Sequence, residues 1–142
     1  MKIDTNMVNS RISKLKEYIK ILNDLKKKDE NEFINNYKLY GLAERYLQLS
    51  IETVLDIGNH IISRLEFSKP ETYQEIIITL GKESILPMNF AEKISKMAGF
   101  KNILIHNYLE IDRSLVYNYL QENIQDFNEF IKYILKFLNS FK

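Results

Sequence analysis

Between residues 4 and 27 apolar side chains fall at Val8, Ile12, Leu15, Ile19, Leu22 and Leu25, the three- and four-residue spacing of one helix face. Asp4 or Thr5 is placed to cap that helix, and the KKKDE run at 26 to 30 marks its solvated end. From Glu32 to about Leu65 the same period continues through Phe33, Tyr37, Leu42, Tyr46, Leu49, Val54, Ile57 and Ile61, with Gly41 as a break near the start. A helix of that length runs to roughly 50 Å at 1.5 Å per residue, long for a globular domain, which predicts the spine of a bundle.

Ser68-Lys69-Pro70-Glu71 is a start signal, with Pro70 in the first turn, for a short helix ending near Gly81. A loop ending at Leu86-Pro87 leads to a fourth helix over 88–106, in which Gly99 is a tolerated weakness. Asp112 caps a last helix over 113–141, carrying Leu115, Leu120, Ile124, Phe127, Ile131, Ile134, Leu135 and Leu138. Ile76-Ile77-Ile78 is β-branched but sits in a helical window, and neither strand alternation nor a fixed-period repeat occurs. The pattern predicts an all-α, up-and-down bundle of four to five helices with a long second helix, residues 1–142 forming one domain.

Composition narrows the function more than the fold. At 142 residues the chain is long enough to bury a core without crosslinks, and the absence of Cys excludes disulfides and thiolate metal sites. The 45% hydrophobic content is spread evenly, and the N-terminal MKIDTNMVNSRISKLKEYIK has no apolar core of a secretory signal, so a cytoplasmic protein with no membrane partner is expected. The net charge of +1 hides an asymmetry: residues 1–28 hold eight Lys/Arg against three Asp/Glu, and residues 29–68 hold three against seven. Extended, sequence-independent DNA binding needs a clearly basic surface and is disfavoured, whereas a small local RNA site is allowed.

The segment that departs from plain helix is KNILIHNYLEID at 101–112, which places Lys101, Asn102, His106 and Tyr108 among apolar residues. On a regular helix His106 lies four residues after Asn102, about 40° around the axis, so the two share a face, while Lys101 stands about 140° away. Taken alone, a histidine in such company is more often a hydrogen-bonded structural residue than a catalyst, Lys101 a solvated charge, and Tyr108 a ring closing a helix end. Along the long helix Arg45, Gln48, Glu52, Asp56 and Asn59 or His60 form a polar stripe, either a solvated face or, for Asp56 and His60, the lining of a cleft. Neither H-x3-H nor H-E-x-x-H spacing is present, so no metal and no cofactor is expected.

Gly99-Phe100-Lys101-Asn102-Ile103-Leu104-Ile105-His106-Asn107-Tyr108-Leu109-Glu110-Ile111-Asp112 resembles the R-x4-H-x-Y signature of HEPN domains, most closely that of HepT-like toxins. Glu44-Arg45-Tyr46-Leu47-Gln48 through Glu52 to Asp56-Ile57-Gly58-Asn59-His60-Ile61-Ile62 resembles the long second helix of the same family. The departure is Lys101, where the family carries Arg. The resemblance implies a dimeric, metal-independent endoribonuclease with Lys101 and His106 catalytic and Asn102 in support, and the cleft reading of the polar stripe adds Asp56 and His60 as supporting residues. It also implies a type VII (HEPN/MNT) toxin–antitoxin pair, in which a partner nucleotidyltransferase adds AMP at Tyr108.

Two other readings stand beside that one. A catalytically silent HEPN module that binds and assists a nucleotidyltransferase fits the missing Arg. A helical adaptor without any nucleic-acid role would use the aromatics of the last helix, Tyr117, Tyr119, Phe127, Phe130, Tyr133 and Phe137, as dimer surface.

Overall fold

The Asp4 carboxylate accepts from the Met7 amide at 3.0 Å and opens α1 (Thr5–Lys26), whose six predicted apolar positions are all buried. A computed structural model of the chain describes residues 2–106 and 111–140, with the side chains of Ile105 and His106 outside the described set. After α1 come α2 (Glu30–Asn35), α3 (Tyr37–Arg64), α4 (Tyr73–Lys82), α5 (Met88–Ile94), α6 (Met97–His106) and α7 (Arg113–Asn139). Among the described residues there is no strand, and no helix is long and apolar enough to cross a membrane.

The all-α class and its long helix are as the periodicity predicts, but the segments are finer. The break near the start of the long helix is at Asn36 and not at Gly41, which lies inside α3. Asn36 is extended, with φ −119° and ψ 105°, and its side chain accepts from the Lys38 amide at 3.0 Å. A short amide side chain that bonds its own backbone competes with the helical ladder, which is why the chain stops there and restarts. Pro70 likewise lies outside the helix it announces, because Thr72 is the cap, accepting from the Glu75 amide at 3.1 Å. The predicted helix over 88–106 divides into α5 and α6 near Ser95, whose hydroxyl donates to the Glu92 carbonyl at 2.8 Å. Asp112 caps α7 as expected, accepting from the Ser114 amide at 2.9 Å.

Two cross-links set the direction of the long helices. The Asp4 amide donates to His60 Nε2 at 3.1 Å, so the start of α1 meets the end of α3. The Tyr117 hydroxyl donates to the Lys28 carbonyl at 2.7 Å, so the start of α7 meets the end of α1. Helix α1 therefore runs against both α3 and α7, which run together. The core lies between these three, with Phe33, Phe127 and Phe130 among its largest fully buried side chains. Burial of α7's aromatics corrects the reading of them as dimer surface: Phe127 and Phe130 are fully buried, and Tyr117, Tyr119, Tyr133 and Phe137 pack on the core.

Helices α4 and α6 lie along the flank of α3, with α5 packed on α4, and Gly58 sets how near α4 comes. A Cβ built at Gly58 would stand 2.8 Å from Ile76 Cγ2, closer than real Cβ atoms pack, and 3.2 Å from Leu80 Cδ1, tighter than most. With hydrogen there, α4 lies directly on α3, and its first residue, Tyr73, reaches α6.

Candidate active site and its cleft

Helix α6 carries the segment that the sequence singles out, and two layers hold it. On one side Phe100 is buried and stacks on Tyr119 of α7, with centroids 4.2 Å apart and planes 8° from parallel. Behind that pair Asp126, only 3% exposed, accepts from Lys93 at 3.1 Å and from Asn123 at 3.2 Å. Burial, with the Asp126 charge adding to it, pushes the Tyr119 hydroxyl well above the ordinary tyrosine range, so the ring stays neutral and serves as a packing surface.

On the other side Lys101 turns inward. The residue is 8% exposed, and its Nζ lies 3.9 Å from the centroid of the Tyr73 ring. Among the described residues it makes no salt bridge. Burying an ammonium is costly unless it is compensated, and a ring face supplies only part of that, about 0.5–2 kcal/mol.

The Lys101 charge also acts on Asp56 of α3. Partial burial raises the Asp56 carboxyl above its ordinary value; Arg11 of α1 opposes this, Glu52 reinforces it and Lys101 opposes it. Glu52 is itself held one turn away by the Gln48 amide at 3.1 Å. The result is a patch of mixed sign, Arg11, Asp56, Glu52 and Lys101, spread over three helices.

Beside it opens a cleft of about 770 Å³ between α3, α4 and α6, walled among others by Asn59, Pro70, Tyr73, Gln74, Gly99 and Asn102. Asn102 thus lines the same cleft as Tyr73, the ring against which Lys101 packs. Asp56 does not line this cleft, and neither does His60. Its Nε2 accepts the Asp4 amide, and partial burial and Arg64 pull its pKa below the ordinary value, with Asp4 opposing, which keeps that nitrogen free to accept. His106 closes α6, but its side chain, like the whole of Tyr108, lies outside the described residues. No group of three or more His, Asp or Glu that could hold a metal occurs among the described residues.

Tyr73 and Arg11 are the members of this region that sequence reading misses. Tyr73 follows a cap and belongs to no motif, and Arg11 sits beside the buried Ile12 as any solvated helix residue would. Only the close approach of α4 at Gly58 and the antiparallel register of α1 on α3 bring them in.

Residues 13–134 match the family model described as Ribonuclease HepT-like. A tRNA nuclease HepT of Aphanizomenon flos-aquae is 27% identical over 136 residues, covering 96% of this chain and 92% of that protein. An mRNA nuclease HepT of Shewanella oneidensis is 25% identical over 129 residues, with 91% and 96% covered. A solved structure of a tri-AMPylated Shewanella oneidensis HEPN toxin in complex with an MNT antitoxin superposes with a TM-score of 0.83 at 25% identity, covering 91% of this chain and 96% of that one. A cytosolic Bacillus subtilis protein, YutE, shares the fold with a TM-score of 0.85 at 20% identity. With the match spanning most of its length and both motif blocks, the chain belongs to the Ribonuclease HepT-like family and is an endoribonuclease of that family.

Proposed function

We propose that this chain is the toxin of a HEPN/MNT toxin–antitoxin pair and cleaves RNA without metal through Lys101 and His106. The observation that carries this is the Lys101 ammonium, buried and without a salt bridge among the described residues, at the side of an open cleft. A cation so placed is compensated by an anion that arrives, and the phosphodiester of RNA is such an anion.

In this reading His106 moves the proton. Its ordinary pKa near 6.5 suits it to accept the proton of the ribose 2′-OH or to give one to the departing 5′-oxygen. The 2′-oxygen attacks phosphorus and the bond to the 5′-oxygen breaks, leaving a 2′,3′-cyclic phosphate and a 5′-hydroxyl. Lys101 neutralises the charge that builds on the phosphate oxygens, Asn102 offers an amide donor beside it, and the Asp56 carboxylate, which feels the Lys101 charge, sets the local field. His60 supports the site indirectly, by tying α1 to the end of α3.

A partner nucleotidyltransferase would add AMP to Tyr108, as the tri-AMPylated relative in complex with its MNT antitoxin suggests. Each added phosphodiester brings a negative charge and bulk close after His106 in the chain, where RNA phosphate is to bind, so repulsion and blockage follow. Two copies of the chain, each supplying a motif, form the active unit.

Mass spectrometry of the products in EDTA tests the reaction. A 2′,3′-cyclic phosphate end, and no cleavage at a linkage carrying a single 2′-deoxyribose on its 5′ side, is the expected result. Cleavage that requires a divalent cation and leaves a 5′-phosphate contradicts it.

A further inference from the structure

We propose that the cleft beside Lys101 is a nucleobase-binding subsite, in which Tyr73 is the stacking platform and the carboxamides of Asn59, Gln74 and Asn102 read the edge of one base. It rests on the ribonuclease reading only for which strand brings the base. The cleft's chemistry is what points to a base.

Tyr73 is 47% exposed although α4 is otherwise packed on α3 and α5, and its ring forms part of the cleft wall. The Lys101 ammonium covers one face of that ring, leaving the remaining ring surface to a ligand. An aromatic ring in contact with a cation is a good partner for a flat, polarisable base, and a base stacked there would bring its own phosphate within reach of the same cation.

The edge readers are already in place. Asn59 stands on α3, Gln74 in the first turn of α4 and Asn102 on α6, so three elements converge on one cleft with carboxamides that each carry two donors and an acceptor. All three residues are exposed, and none of their side chains makes a hydrogen bond to another described residue, whereas the Thr72 hydroxyl on the same wall is engaged. Paired donors and acceptors are the complement of a base edge, and they carry no charge that a neutral base would have to offset.

Space is provided at Gly99, whose Cβ would meet nothing within 4 Å, so that wall of the cleft is bare backbone. Lys69 at the rim supplies a second cation for the strand on the far side of the base. A cleft of about 770 Å³ holds one nucleotide and part of a neighbour.

The test is titration of the full chain with the four nucleoside 5′-monophosphates, with ribose 5-phosphate, and with a short RNA methylated at every 2′-oxygen so that it binds without being cut. The readout is the NMR signals of the Asn59, Gln74 and Asn102 side-chain amides. Those signals shift with at least one nucleotide and with the RNA, but not with ribose 5-phosphate. Tyr73→Ala weakens RNA binding roughly 5- to 100-fold while Tyr73→Phe keeps it, since a stacked base is lost in the first and retained in the second. Because the ring is half exposed, both variants fold, and Gln74→Leu, at a residue with no part in the cleavage chemistry, gives an independent loss of base preference. Three amides that stay unmoved while the RNA binds, or a Tyr73→Ala protein that binds like the parent, overturn the subsite. If nucleotides shift the amides but the parent cuts no RNA, the ribonuclease reading falls and the base site stands.

Discussion

Position 101 carries a charge into a place where charge is expensive, and the choice of Lys over the family's Arg alters what that charge can do. An ammonium is a compact point charge, whereas a guanidinium offers a planar fork that pairs bidentately with phosphate and also stacks on aromatic rings. With Tyr73 already beneath it at 3.9 Å, Lys101→Arg keeps the ring contact and adds the fork. RNA cleavage is expected to rise severalfold, up to about tenfold, with the melting temperature unchanged. A fall in cleavage at equal stability would show that the site has been tuned around Lys. His60 gives a second prediction at this scale. Its folded pKa lies below the ordinary 6.5, so the neutral form that accepts the Asp4 amide is the one folding favours. The stability it contributes is present above about pH 6.5 and is lost as pH falls below that, because the unfolded chain takes up the proton first. His60→Gln, with an amide that can still accept, should flatten the melting temperature between pH 7 and pH 5, as thermal scans across that range would reveal; an unchanged slope would place the acid sensitivity elsewhere.

At the scale of elements, the site depends on how closely α4 lies on α3. Gly58→Ala places a methyl 2.8 Å from Ile76 Cγ2, so α4 must shift, at a cost of about 1–3 kcal/mol, and Tyr73 shifts with it. Denaturant titration should show that loss together with weaker cleavage. Gly99→Ala is the contrast: with nothing within 4 Å, it should gain up to about 1 kcal/mol of helix stability. The helices themselves are legible from spacing, because Val8 to Leu25 and Leu115 to Leu138 repeat with the helical period and Asp4 and Asp112 are caps. The divisions at Asn36 and Ser95 are not, since a side chain that bonds its own backbone leaves the apolar period intact on both sides. The candidate site divides the same way. Lys101 and Asn102 stand in a contiguous motif, so sequence finds them, while Tyr73 and Arg11 join through tertiary approach and carry no local signal. The aromatics of α7 mislead for a related reason: composition counts rings, and only packing says that Phe127 and Phe130 face inward.

At the scale of the whole molecule, apolar surface remains at the end where α3 and α7 begin, which Arg113 ties to α2 by donating to the Ile34 carbonyl at 3.4 Å. Tyr37 is 69% exposed there, and Leu42 and Leu115 are also open. A homodimer covering such surface is expected, seen by sedimentation as a species of twice the 16.9 kDa chain mass at micromolar concentration; a monomer alone would count against a site built from two motifs. Co-expression with the cognate nucleotidyltransferase should add AMP mass that Tyr108→Phe abolishes, and AMP found on Tyr117 or Tyr119 instead would break the assignment. The central claim, that Lys101 and His106 cut RNA without metal, is tested most directly by His106→Ala, assayed in EDTA beside the parent with melting temperature and oligomeric state taken on the same preparation. Loss of a general acid or base removes about 10² to 10⁴ in rate, so the variant should stay folded and dimeric and cleave slower by that factor. A folded, dimeric His106→Ala protein that cleaves RNA as fast as the parent would contradict it.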